Sequence, residues 1–121
     1  MFDGGRVRAE IRASEARQQQ AALAYEQAVL SALGDAERAL SNYRLGLDAV
    51  QRQHAAVEAT RRSYAHAQMR FTEGDIALTD LLSEERLLRD VEDIYVRTYT
   101  ATAIDLIALY KALGGGWDVR S

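Results

Sequence analysis

The chain has no cysteine and no proline among its 121 residues, and lysine occurs once, at Lys111. Without cysteine, disulfides, thiolate metal sites and cysteine nucleophiles are excluded. Without proline, the strongest helix breaker is absent throughout. Aromatic residues make up 7% of the chain, and no stretch of about eighteen apolar residues exists to form a spanning helix. The net charge of −3 gives no basic excess for a nucleic-acid partner. Arginines alternate with acids, which also argues against a basic amphipathic helix lying on a membrane surface. The opening residues 1–6 lack the apolar centre of a secretory signal, so no signal peptide is expected in this chain: with Met1 as the true start the product would stay where it is made, and in a longer polypeptide the signal would lie upstream.

What the chain does have is helical periodicity, organised about one short stretch, residues 70–82. Gly74 is the only glycine between Gly46 and Gly114, and it falls where the first helical pattern ends. A glycine just past a helix adopts the left-handed conformation that closes off the last carbonyls without a Cβ penalty. Arg70 suits the negative end of the first helix dipole, and Asp75 and Asp80 suit the positive start of the next. These residues predict a hairpin tip.

In chain order, Asp3-Gly4 within residues 2–5 is a turn signal, and a turn is expected over residues 1–5. A long helix follows over residues 6–73, built from alanine, arginine, glutamine, glutamate and leucine. Ala22, Val29, Ala36, Tyr43, Val50, Val57, Tyr64 and Phe71 recur every seventh residue, with Leu33, Leu40 and Leu47 as the companion row of an a/d seam. The companion row continues as His54, Arg61 and Gln68, either a solvated flank or a wet, exchangeable surface. Gly34 and Gly46 each cost about 1 kcal/mol relative to alanine. The heptad phase runs through both, which favours one continuous helix over two shorter ones and suggests close approach by a neighbour.

The tip turn is expected over residues 74–78 and a returning helix over 79–113. Leu81, Leu88, Tyr95 and Leu109 keep a seven-residue row in which Thr102 is the exception. Toward its end the apolar arc widens to Val96, Tyr99, Leu106, Ile107, Tyr110 and Leu113, more than one partner helix covers. Gly114 and Gly115 are expected to stop the helix and begin a tail over 114–121 in which Trp117 is a packing anchor. The fold class is therefore all-α, a long antiparallel, coiled-coil-like helical hairpin. At about 1.5 Å per residue the first helix reaches roughly 100 Å and the second about half that. The half of the first helix around Val7, Ile11, Leu23, Tyr25 and Val29 is then without a partner in this chain. A two-helix hairpin buries too little to offset the ordering of so many residues, so a larger polypeptide, an oligomer or both are implied.

Enzymatic constellations are weak. His54 and Glu58 lie four apart, but no third ligand is in register for a metal. His66 stands alone. Gly114-Gly115-Gly116 follows a helix where an anion cradle would precede one. No enzyme activity, cofactor or metal is expected.

Three segments together carry a family resemblance: the opening Phe2-Asp3-Gly4-Gly5-Arg6, the tip from Arg70-Phe71-Thr72-Glu73-Gly74 through Thr79-Asp80-Leu81-Leu82 to Leu88, and the ending Leu109-Tyr110-Lys111-Ala112-Leu113-Gly114-Gly115-Gly116-Trp117. In order and spacing they resemble the C-terminal part of TolC/OprM-type outer membrane efflux proteins, over essentially the whole chain. The resemblance implies a homotrimeric conduit with a β-barrel in the outer membrane and a periplasmic α-helical barrel, this chain matching the second of two helical hairpins. Gly4 and Gly5 would then belong to a strand-to-helix turn, and contact with the membrane would run only through the missing barrel. Arg70, Phe71, Gly74, Leu78, Leu82 and Arg86 fall where such tips dock onto a periplasmic adaptor protein, itself joined to an inner-membrane pump. Asp80 matches an acidic residue of a pore constriction. Ser83-Glu84-Glu85 departs from the usual pattern, where a second acid is often followed by Ala-Gln, and leaves the constriction's charge open. The alternative is an independent soluble helical-hairpin scaffold, since periodicity fits either. Neither the exported substrate nor a lipid anchor is readable from these residues.

Overall fold

The computed structural model describes residues 2–114, in two helices: α1, Phe2–Thr72, and α2, Leu78–Gly114. The chain divides into two units, Met1–Glu37 and Arg38–Ser121. In the first, α1 presents Val7, Ile11, Leu23, Tyr25, Val29 and Leu30 to solvent, as expected of a stretch whose partner lies outside this chain. In the second, α1 and α2 pack against each other as an antiparallel hairpin, and the all-α expectation holds. No described helix is long and apolar enough to cross a membrane.

The helix termini follow local electrostatics, with some shifts from the expected bounds. Asp3 stands in the first turn of α1 and Arg70 in its last; Asp80 and Lys111 do the same for α2. Each charge opposes the helix dipole's end. The turn expected over residues 1–5 is not found among the described residues: Phe2, Asp3, Gly4 and Gly5 are helical. Glycine's cost in a first turn is small beside the continuous helix formers that follow, and Asp3 favours helix at that position. Leu78 is the first residue of α2 and not part of the turn, and Gly114 is its last residue. Gly115, like Trp117, lies outside the described residues.

The seam between the helices uses the middle of one expected row, from Tyr43 to Tyr64, and replaces the other; Ala22, Val29 and Phe71 of the first row are exposed. Tyr43, Val50, Val57 and Tyr64 face α2, and Val57 is 3% exposed. Their companions are Ala39, Gly46, Gln53, Thr60 and Ala67, three residues further on, all buried or half-buried. The leucine row expected there points elsewhere: Leu33, Leu40 and Leu47 are 56%, 38% and 43% exposed. The physical reason is size. Small residues let two helix axes approach closely, and each facing side chain of α2 then fills the space they leave. On α2 the inward rows are Leu81, Leu88, Tyr95, Thr102 and Leu109, beside Glu84, Val91, Thr98, Asp105 and Ala112. The seven-residue row of α2 is thus as expected, and Thr102 sits in it as the one buried residue of the helix.

Of the displaced leucines, Leu47 belongs to a lateral flank of the hairpin. Tyr43, Leu47, Val50, Tyr99, Thr102, Ala103 and Leu106 line an apolar groove there. Closer to the tip the same flank is polar. The His54 ring packs on Tyr95 at 5.8 Å between centroids, and Arg61 reaches Glu92 of α2 at 3.7 Å and Glu58 of its own helix at 3.0 Å. His54 and Glu58 thus meet different partners, Tyr95 and Arg61.

Candidate functional site

The tip is built from backbone hydrogen bonds that the sequence dictates locally. The Asp75 N–H donates to the Arg70 carbonyl at 2.8 Å, and the Gly74 N–H to the Phe71 carbonyl at 3.0 Å. These are the two bonds of a Schellman motif, with Gly74 at the left-handed position, φ +83°. Among described residues no non-glycine has positive φ. The Glu73 N–H donates to the Met69 carbonyl at 3.0 Å and completes the closure. The Thr72 hydroxyl donates back to the Gln68 carbonyl at 2.9 Å, so the last turn of α1 leaves few carbonyls unmatched.

α2 starts with equal economy. The Asp80 carboxylate accepts the Ala77 N–H at 3.2 Å, while the Ala77 carbonyl accepts the N–H groups of Asp80 and Leu81 at 3.1 and 3.3 Å. This is the reach-back half of a capping box, with the acid three residues into the helix and alanine, which offers no side-chain acceptor, at the cap. Asp80 thereby shapes the turn whatever else it does. Glu73, Asp75 and Asp80 lie in or beside the connection, opposed by Arg70.

Of the residues assigned to docking, Arg70, Phe71, Gly74, Leu78, Leu82 and Arg86 are all exposed. Arg70 and Gly74 are joined through the Schellman turn, and Leu82 and Arg86 share a shallow groove on α2 with Glu85 and Arg89. Arg89 bonds to Glu85 at 2.8 Å, which holds one wall of that groove. Glu85 and Arg89 were not among the expected site residues; their four-residue spacing beside Leu82 and Arg86 is the signal that places them on one face. Met69 is also exposed one turn before the tip, and Ile76, half-buried, is the large apolar residue of the connection. Asp80 and the groove both lie in the first turns of α2, and the structure assigns no contact between them. Gly4, Gly5 and Gly114, expected at turns, each have open space where a side chain would stand.

The tip is exposed and well capped, and the first part of α1 keeps Val7, Ile11, Leu23, Tyr25, Val29 and Leu30 exposed. Residues 1–115 match the family model described as outer membrane efflux protein, and the chain belongs to that family. It is 35% identical over its whole length to the pyoverdine export outer membrane protein OpmQ of Pseudomonas putida, of which it spans 26%. It is 32% identical over 98% of its length to the outer membrane protein OprJ of Pseudomonas aeruginosa, spanning 25% of it. The cation efflux system protein CusC of Escherichia coli K12 is 28% identical over 96% of the chain, and again 25% of that protein is covered. The chain thus spans about a quarter of the length of the curated relatives it matches. No solved structure matches it.

Proposed function

We propose that this chain is the tip-forming helical hairpin of an outer membrane channel in a pump–adaptor–channel efflux system. In that reading α1 and α2 form part of the wall of a periplasmic conduit, and three copies of the full parent protein close the channel. The exposed, apolar first part of α1 and the apolar lateral groove beside Leu47 and Tyr99 pack on helices of the parent and its neighbours. Arg70, Phe71, Gly74, Leu78, Leu82 and Arg86 meet the periplasmic adaptor, which carries the connection to the inner-membrane pump. Asp80, repeated by the trimer, adds negative charge at the entrance and disfavours anions there. No catalytic step is involved; transport follows from a continuous passage and from docking at its end.

The observation that carries this reading is the tip itself. In a member of this family, a turn closed by a full Schellman motif and a helix-start acid holds apolar and cationic side chains outward, where a partner can reach them. The similarity to a pyoverdine exporter and to a cation efflux component extends over nearly the same residues. A segment shared by proteins named for such different cargo serves the conduit and leaves cargo selection to another component.

The test is the size and location of the native protein, detected with an antibody against the tip residues. A band several-fold heavier than the 13.5 kDa chain, in the outer membrane fraction, is expected. A soluble band at the size of the chain would mean a free helical scaffold and end the transport reading.

A further inference from the structure

We propose that Gly46 and Thr102 form a register lock, a contact that holds the two helices in the one alignment that the turn at Gly74 also specifies. A Cβ placed on Gly46 would lie 2.6 Å from Thr102 Oγ1, 2.9 Å from its Cγ2 and 3.2 Å from its Cβ. The threonine therefore occupies the space a side chain on α1 would need. Gly34, also within α1, has nothing within 4 Å, so this close approach belongs to Gly46 and is not a general property of helical glycines in the chain. Thr102 is 6% exposed, and its hydroxyl donates to the Thr98 carbonyl at 2.8 Å, so it enters the seam with its polar group satisfied.

The leucine positions of that seam discriminate poorly between alignments. Leu81, Leu88 and Leu109 repeat the same side chain at heptad spacing; counted along the antiparallel pair from Gly46 and Thr102, they fall level with the small or short residues Ala67, Thr60 and Ala39. Sliding α2 by one heptad would exchange Leu81 and Leu88 for one another at little cost, whereas Tyr95 would take a leucine's place or a leucine Tyr95's. At Gly46 the same slide would bring Tyr95 or Leu109 to a space filled by threonine at van der Waals limits, while Thr102 would leave a gap beside Ala39 or meet Gln53. One odd residue in an otherwise repetitive seam is how paired helices encode register. The turn agrees with it: Gly46 and Thr102 are equally far along the chain from Gly74, the residue with φ +83°. Lock and turn specify the same alignment from two ends.

This inference stands on the hairpin geometry and does not depend on the transport reading. Its test is a cysteine-pair scan in the full-length parent, freed of any other cysteine. Thr60→Cys is combined with Leu88→Cys, which reports the register that sets Gly46 against Thr102, or with Leu81→Cys or Tyr95→Cys, which report slips of one heptad. Disulfides formed on mild oxidation are assigned by peptide mass. With the lock intact, the 60–88 bridge is expected to dominate. Thr102→Ala, which removes the interlocking atoms without inserting any, should bring up the slipped bridges. Gly46→Ala should do so more strongly, and Gly46→Ala with Thr102→Ala should restore the 60–88 preference. A 60–88 bridge that stays dominant in Thr102→Ala, or a double variant that fails to regain it, would overturn the lock.

Discussion

The Asp75 N–H lies 2.8 Å from the Arg70 carbonyl, bridging the glycine that separates the two helices. That bond exists only while residue 74 holds its left-handed conformation, which a β-branched side chain reaches at a cost of about 1–3 kcal/mol.

Gly74→Val in the full-length parent should therefore open the tip while leaving distant parts folded. The expected result is normal abundance in the outer membrane with reduced efflux, read as increased sensitivity of cells to an exported compound. Full efflux by that variant would remove the tip from the docking role.

Asp80 combines a local role with a proposed one, and two substitutions separate them. Asp80→Asn keeps an acceptor for the Ala77 N–H and removes the charge; Asp80→Ala removes both, at about 0.5–1 kcal/mol of local helix stability. If the acid acts through a charged entrance, Asn and Ala should shift single-channel ion preference alike, and Asp80→Lys should shift it further. Unchanged conductance in all three would leave Asp80 a helix cap alone.

Burial and charge contribute very differently to the seam. Val57→Ala removes two methyl groups from the least exposed apolar site described, worth about 1.5 kcal/mol. Amide hydrogen exchange in the facing part of α2 should accelerate by roughly tenfold in that variant. Arg61→Ala breaks the exposed bridge to Glu92, whose class contributes about 0.2–1 kcal/mol, so exchange there should change severalfold at most. The reverse order of effects would show that the charged pair, not packing, holds the helices together.

Much of the hairpin is legible in the sequence because its signals are local. Gly74 marks the turn by its conformational freedom, and Tyr43, Val50, Val57 and Tyr64 mark one inward row by period alone. The second row is not legible in the same way. Leu40 and Leu47 look like core because they are large and apolar, yet α2 packs over Ala39, Gly46 and Ala67. Hydrophobicity says that a residue wants a partner; it does not say which partner. Gly4 and Gly5 fail as turn signals for a related reason, since a dipeptide preference competes with the helix it adjoins and here yields to it. At the tip, Arg70 and Asp80 could be placed from dipole arguments, whereas the pairing of Leu82 with Arg86, Glu85 and Arg89 around one groove needed the structure.

The lateral flank, apolar beside Leu47 and Tyr99 but ionic at Arg61 and Glu92, gives one hairpin two responses to its solvent. Exposed ion pairs weaken as screening shortens the reach of charge to about 10 Å at 0.1 M salt. Apolar contacts hold or tighten when strongly hydrated ions are excluded from protein surfaces. A rise in external osmolarity through sulfate or phosphate would thus loosen the edge nearest the turn while it firms the edge further away, so the same change in medium acts with opposite sign along a single pair of helices.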